Sequence, residues 1–141
     1  MPPFNMMFSM SENLTPMLHQ MALAQKAQLN QIVREAAIDL KAQMILSFKQ
    51  PKRGLTYQRG SKTHTASAAG EAPAIDTGVL MASIQVTNVS AYTSIVTVGS
   101  EYGAYLEFGT RRMGARPFVV PAINKVAPEF HRQVQHVVGQ I

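Results

Sequence analysis

The sequence predicts an α+β domain, in which an antiparallel β-sheet is packed by a long N-terminal α-helix and a broken C-terminal helix, with a long basic loop between them. Three observations predict it. Apolar residues recur at three- and four-residue steps over residues 17–48, alternate with polar residues over residues 84–98, and return to helical spacing after Pro121. A chain of 141 residues fits one such domain. We assign the domain to residues 15–141, preceded by a flexible arm over residues 1–14.

Composition limits the chemistry that the chain can perform. The absence of cysteine excludes disulfides, thiolate metal sites and cysteine nucleophiles. A formal charge of +5 permits an anionic partner without requiring one. The arm has too short an apolar core for a signal peptide, and no leading Lys or Arg. The uncharged stretch over residues 77–100 contains too many Ser, Thr, Asn and Gln residues to span a bilayer, so we expect no membrane partner.

The first helix is predicted over Met17–Phe48, with Thr15 and Pro16 suited to its cap and first turn. Glutamines and basic residues occupy the face opposite its apolar stripe, so we expect the helix to cover the sheet. The methionines of the predicted helix are core residues in one interpretation. In another they form an adaptable surface for neighbouring subunits, and Met17 and Met21 fit this second interpretation best. The stripe consists of Leu18, Ala22, Leu29, Ile32, Val33, Ala36, Leu40 and Met44.

Glycine and proline residues punctuate the next segment, residues 49–75, and predict a long loop with room for a loose hairpin. Its cations precede the first acidic residue of the segment, Glu71, and give it a positive field. We expect the segment to be poorly ordered in an isolated subunit and to become fixed on assembly. The cations expected to contact a neighbour or DNA are Lys49, Lys52, Arg53, Arg59 and Lys62.

Asp76 or Thr77 is suited to cap a single helical turn that brings Leu80 inward. The alternation over residues 84–98 then predicts an antiparallel hairpin with its turn near residues 89–91.

The short apolar run Phe118–Val120 predicts a third strand. Pro121 suits the first position of the last helix, and Pro128 is expected to kink that helix or to restart it.

The stretch before this run has a pattern of its own. Tyr102, Tyr105 and Leu106 fall on one face of a short predicted helix. Gly109 stands where a residue in the left-handed backbone conformation is expected to end that helix. Three cations follow, and Pro117 forces the last of them into an extended conformation. These cations are Arg111, Arg112 and Arg116.

Residues 102–123, YGAYLEFGTRRMGARPFVVPAI, resemble the signature of the HK97 gp10-like family of tailed-bacteriophage neck proteins, which join head to tail and complete the tail. The succession of Ala69–Pro73, Thr77–Leu80 and Ser83–Ile84 is similar to a second pattern of that family. The resemblance extends over residues 54–126, with a matching helix upstream.

The resemblance implies a structural virion protein, not an enzyme, that forms a homo-oligomeric ring in the phage neck and is assembled in the host cytoplasm. The implied partners are further copies of the chain, a head-completion or connector protein on one side, a tail terminator or tail tube protein on the other, and the double-stranded DNA that passes through the channel. A head-to-tail ring needs two different complementary surfaces on each subunit. The basic loop and residues 102–116 supply them in this interpretation.

The expected sites follow from these patterns. Glu101 and Glu107 fit ion pairs with Arg111 or Arg112, within or between subunits, better than an acid–base pair. The expected subunit interface comprises Tyr102, Tyr105, Glu107, Arg111, Arg112 and Arg116. The expected core anchors are Leu80, Ile84, Phe108 and Phe118.

A nucleic-acid-binding module that uses the basic loop is the alternative function, although no helix-turn-helix or aromatic stacking platform accompanies the cations. No strained serine elbow or phosphate-binding glycine loop is present, so we expect no catalytic residues and no cofactor. We expect no metal site either, because the spacing of His131 and His136 misses the i, i+4 step of helical ligands.

Overall fold

The α+β class is confirmed by a computed structural model, which describes the backbone of residues 6–10 together with residues 19, 21–75 and 78–139. A long helix, a three-stranded sheet and a second long helix form the main body. In chain order the elements are β1 Met6–Met10, α1 Leu23–Lys49, β2 Thr56–Arg59, β3 Lys62–Thr65, α2 Val79–Ala82, β4 Ile84–Ser90, β5 Thr93–Val98, α3 Glu101–Phe108 and α4 Val119–Val138.

Strand β5 is the centre of the main sheet and pairs antiparallel with β1 on one side and β4 on the other. Val98 lies opposite Met6 in one neighbour and Ile84 in the other. Alternate residues of a strand face opposite sides of the sheet. Ser94, Val96 and Val98 therefore share one face, and all three are buried.

Two sequence predictions about this sheet are wrong. Its third strand is Met6–Met10 rather than Phe118–Val120, so these N-terminal residues belong to the sheet instead of a flexible arm. The rest of the predicted arm lies outside the described residues. Phe118 is instead the N-cap of α4. An apolar run of three residues is too short for its periodicity to distinguish a strand from the start of a helix.

Helix α1 lies across the buried face of the sheet and along α4, and the core fills the space between them. The helix begins at Leu23, later than predicted, and the N–H of its N-cap Ala22 donates to Oε1 of Gln25 at 3.1 Å. The predicted cap residues Thr15 and Pro16 lie outside the described residues, as does Met17. Met21 is buried against the core, as in the core interpretation of the methionine stripe.

Helix α4 runs from Val119 to Val138 without a break, so the predicted interruption at Pro128 is wrong. Proline lacks the N–H that would bond to the carbonyl of Asn124 four residues earlier. Both residues lie on the exposed face, where water can solvate that carbonyl. The opposite face carries the apolar residues that pack on α1 and hold the helix in place. These are Val119, Ala122, Val126, Phe130, Val134 and Val137.

The predicted loop over residues 49–75 contains an antiparallel hairpin formed by β2 and β3. Backbone bonds between Gly54, Leu55 and Ala66 continue it beyond the strands. Gly54 is required here, because a β-carbon at this position would lie 2.4 Å from the carbonyl oxygen of Ala66. After this segment Gly78 is the N-cap of α2, while the predicted cap residues Asp76 and Thr77 lie outside the described residues.

Candidate interaction surface

A buried carboxylate joins the end of α3 to the start of α4. Glu107 is only 6 % exposed. Its Oε2 accepts the N–H groups of Phe118 and Val119 at 2.8 and 2.9 Å, and its Oε1 accepts the N–H of Val120 at 3.0 Å. A first helical turn leaves these donors unpaired and carries the positive end of the helix dipole. Because Pro121 has no N–H, Glu107 satisfies all the backbone donors of this turn.

This arrangement overturns the predicted role of Glu107. Both of its carboxylate oxygens bond to buried or half-buried backbone, so the residue is not part of an exposed subunit interface and does not pair with Arg111 or Arg112. Sequence reasoning missed the cap because the acceptor and its donors are 11 to 13 positions apart, whereas recognisable capping motifs lie within three or four residues.

Gly109 ends α3 and turns the chain back on itself. Its N–H donates to the carbonyl of Tyr105 at 2.8 Å, and its φ of 77° lies in the left-handed region that glycine favours. A β-carbon here would lie 2.9 Å from the backbone nitrogen of Ala115. The N–H of Arg116 then donates to the carbonyl of Leu106 at 2.6 Å. The returning loop is therefore fastened along the helix that precedes it.

Arg116 connects this returning loop to the segment before α2. Its Nε donates to the carbonyl of Ser67 and its Nη1 to the carbonyl of Gly114, both at 3.1 Å. A backbone bond of 2.8 Å from Gly70 to Ala115 runs beside them. Arg116 was predicted to contact another subunit, but the structure uses its guanidinium to hold two segments of the same chain together.

One face of α3 and the start of the returning loop expose aromatic and basic side chains side by side. Tyr102 and Tyr105 are about half exposed, and Phe108 is 73 % exposed. Arg111 and Arg112 follow directly, are exposed, and have no acidic partner among the described residues. We call these five residues the aromatic–arginine face. Exposed aromatic residues clustered with arginine are typical of protein–protein interfaces.

The structure places the four predicted core anchors in different environments. Ile84 and Phe118 are buried, and the ring of Phe118 packs on that of Phe48 with centroids 5.2 Å apart. Leu80 packs on the edge of the core. Phe108 was predicted to be a core anchor, and that prediction is wrong. A helix turns by about 100° per residue, so a face that buries Leu106 directs Phe108 away from the core.

The cations of the predicted loop are not equivalent. Nζ of Lys52 donates to the carbonyl of Ser47 at 2.8 Å, at the carboxyl end of α1. Partial burial lowers the pKa of Lys52, and the nearby Glu71 opposes that shift. Nε of Arg53 lies 3.9 Å from Oε1 of Glu71. Both residues therefore lie beside partners within the chain, although the Arg53 side chain is itself exposed. The other three cations of the predicted set are exposed as well. These are Lys49 at the end of α1 and Arg59 and Lys62 at the tip of the hairpin.

Glu71 fastens the base of the hairpin segment. Its Oε2 accepts the backbone N–H groups of Ala68 at 2.9 Å and Arg53 at 3.0 Å. These two hydrogen bonds, followed by the positive charges of Arg53 and Lys52, lower the pKa of the Glu71 carboxyl. The sequence analysis assigned all five cations to contacts with a neighbour or DNA, but the structure places Lys52 and Arg53 beside Glu71 of the same chain.

A groove of about 360 Å³ lies between the hairpin, α2 and α3. Its lining is largely apolar, with Phe48 and Leu106 at the core side and Tyr102 at the edge of the aromatic–arginine face. Its polar groups include His64, whose imidazole packs edge-on against the ring of Tyr57 with the two ring centroids 5.3 Å apart. Neither Ser67 nor Ser100, the serines among the described lining residues, bonds to this imidazole, so the described lining contains no assembled nucleophile and base.

Residues 19, 21–75 and 78–139 contain no group of three His, Asp or Glu side chains placed to bind a metal ion. None of the helices described above has the length and apolar character that crossing a membrane requires.

Comparisons of the chain with models of protein families, with curated protein sequences and with solved structures found no match.

Proposed function

We propose that this chain is a structural component of the neck of a tailed phage, where copies of it form a ring around the DNA channel between the head connector and the tail. The proposed role is structural rather than enzymatic. Two arguments support it: the sequence signature over residues 102–123, and the aromatic–arginine face that this signature places on the surface. The exposed face is the single observation on which the proposal depends most.

The face is suited to binding because hydrogen bonds within the chain hold the segments that carry it. Glu107 fixes α3 to the start of α4, and Arg116 fixes the returning loop to the segment before α2. The exposed side chains are therefore presented on elements that are already ordered, which reduces the entropy lost on association. Large aromatic residues and arginine contribute most to the binding energy of typical interfaces.

The first test is the oligomeric state of the purified chain. Native mass spectrometry and light scattering after size exclusion are expected to give one discrete ring, visible as an annulus in negative-stain micrographs. Tyr105→Ala combined with Phe108→Ala is expected to weaken that ring by removing two exposed rings from the interface. A matched control is Val120→Ala combined with Val89→Ala, which removes exposed apolar groups elsewhere. A chain that stays monomeric at high concentration contradicts the proposal.

A nucleic-acid-binding module remains the second candidate, favoured by one observation. Arg59 and Lys62 are exposed at the tip of the hairpin, on the same two strands as the exposed ring of Tyr57. Cations beside an aromatic ring suit a phosphate backbone and its bases.

Binding to a labelled DNA duplex, measured at several salt concentrations, tests this candidate. If the hairpin neutralises phosphates, log Kd should change steeply with log salt, by about 0.9 for each phosphate neutralised. Arg59→Gln with Lys62→Gln should then reduce the slope, while Arg111→Gln with Arg112→Gln should not. A slope near zero excludes the candidate.

A further inference from the structure

The acidic residues of the chain differ in whether they already have a partner within it. Of the eight acidic residues, six lie in the described part, since Glu12 and Asp76 fall outside it. Three of the six are engaged: Glu71 with the hairpin base, Glu107 with the start of α4 and Glu129 with Arg132. The other three have no cation partner among the described residues, and they are Glu35, Asp39 and Glu101.

Two of these carboxylates lie on the outer face of α1. Glu35 and Asp39 are one helical turn apart and exposed, and among the described residues Glu35 accepts one hydrogen bond, from Gln31 at 2.7 Å. Ile38 between them is 59 % exposed, and Leu46 two turns further on is 48 % exposed. The buried stripe of α1 occupies the opposite side of the helix, so these apolar groups have no role in the core.

The outer face of α1 therefore complements the aromatic–arginine face. One surface has exposed aliphatic groups and two carboxylates, and the other has exposed aromatic rings and two guanidinium groups. None of these four charged groups forms an ion pair with another described residue. Fixed charges of opposite sign beside apolar area are the pattern that gives an interface both orientation and affinity. No helix or strand of the described chain covers either surface, although Glu35 also borders a hollow that Arg132 and His136 of α4 line.

We infer that the aromatic–arginine face of one subunit docks on the outer face of α1 of a second copy, with Arg111 and Arg112 paired to Glu35 and Asp39. This inference rests on the proposed ring and identifies the surfaces that close it. The two surfaces belong to different elements, so the contact is head-to-tail and leaves each subunit with one surface of each kind, as a ring requires. It assigns the second complementary surface to the outer face of α1 rather than to the basic hairpin, and leaves the hairpin for a separate contact with a neighbour or with DNA.

Charge reversal tests the pairing directly. Arg111→Glu with Arg112→Glu places acidic groups against acidic groups, and Glu35→Lys with Asp39→Lys places basic groups against basic groups. Each double variant is expected to remain folded by circular dichroism and to associate at least about a hundredfold more weakly than the unaltered chain, at about tenfold for each lost pair. Arg34→Glu with Lys41→Glu is the matched control, because it makes the same change in charge on the flank of α1 and should leave assembly intact.

Mixing the two double variants gives the decisive measurement. In the mixture, the acidic groups at positions 111 and 112 of one variant meet the basic groups at positions 35 and 39 of the other, and the unaltered arginines meet unaltered carboxylates. The two variants are therefore expected to associate in alternation, as closed rings where the copy number is even, detected by native mass spectrometry. If the unaltered chain forms no oligomer, both this inference and the proposed ring fail. If it forms a ring that the reversals do not weaken, or if the two variants do not associate with each other when mixed, the proposed ring stands and this pairing is wrong.

Discussion

At the scale of single residues, Glu107 fixes the junction between α3 and the start of α4. Its carboxylate is the acceptor for three consecutive N–H groups at the start of α4, and it occupies a position that would otherwise attract water or an anion. Part of the signature over residues 102–123 therefore reflects folding rather than binding. The residues that remain exposed in that stretch are the ones available for a partner.

Replacing Glu107 by Ala is expected to lower the free energy of unfolding by about 3 kcal/mol, because it leaves buried donors without an acceptor. Glu107→Gln retains one acceptor oxygen and is expected to cost less. Urea unfolding followed by circular dichroism measures both. Glu101→Ala is the control, since that carboxylate makes no hydrogen bond in the described structure. Equal stabilities for Glu107→Ala and Glu101→Ala would refute the capping role.

Two phenylalanines of the same stretch provide a matched pair. Phe118 is buried against Phe48, so Phe118→Ala is expected to cost about 3–5 kcal/mol through lost burial and the cavity that it leaves. Phe108 is exposed, and Phe108→Ala should change monomer stability by less than about 0.5 kcal/mol. Thermal unfolding of the two variants under conditions that prevent association makes the comparison. An unchanged melting temperature for Phe118→Ala would contradict the placement of this ring.

The lowered pKa of Glu71 predicts that the free energy of unfolding depends on pH. Its pKa in the folded state is lowered, chiefly by the N–H groups of Ala68 and Arg53, so the folded state binds fewer protons than the unfolded state near pH 4. Its contribution to stability is fully present above the unfolded pKa of about 4.3, and is lost as pH falls through the lowered folded value. Glu71→Gln is therefore expected to flatten the acid limb of a stability–pH curve. Parallel curves for the two proteins between pH 7 and pH 3 would contradict this.

At the scale of elements, the helices and the hairpin segment obey different constraints. Helix α4 contains two prolines and still forms, because Pro121 falls in the first turn, where no N–H is needed, and Pro128 faces solvent. The hairpin segment has few buried apolar side chains, and what holds its base is polar: the carboxylate of Glu71 and the guanidinium of Arg116. Segments held in this way open at lower free energy than a packed core does.

Limited proteolysis with trypsin tests this difference. In the monomer we expect cleavage first at Arg59 and Lys62, at the hairpin tip, and slower cleavage at Lys52 and Arg53, which have partners at its base. In the assembled ring all four sites are expected to be protected, since ordering such a segment costs about 1–2 kcal/mol per residue and needs new contacts. Identical cleavage patterns in the two states would exclude ordering on assembly.

At the scale of the whole molecule, the core and the interaction surfaces are separated. The main sheet, α1 and α4 enclose the apolar residues, while α3 and the returning loop stand at one end of this body, next to the start of α4. The outer face of α1 and the aromatic–arginine face are on different elements and carry opposite charges that form no ion pair within the part of the chain that the structure describes. A molecule with this distribution can associate head-to-tail without rearranging its core.

The sequence by itself determined the local elements. Periodicity at three and four residues located the two long helices, alternation located the β4–β5 hairpin, and Gly109 marked the end of α3. These features depend on neighbours within a few positions, and such neighbours can be read along the chain. Even so, periodicity placed the start of α1 too early and placed Phe118–Val120 in a strand.

Only the tertiary structure decided which residues lie close together across long separations. It assigned Met6–Met10 to the sheet edge, Glu107 to the start of α4, and Arg116 to the carbonyl of Ser67, which is 49 positions away. It also directed Phe108 outward. Each outcome depends on how packed elements bring distant polar groups within hydrogen-bonding distance. A buried donor or acceptor must find a partner wherever the fold places one, and the spacing of residues along the chain does not reveal which partner that is.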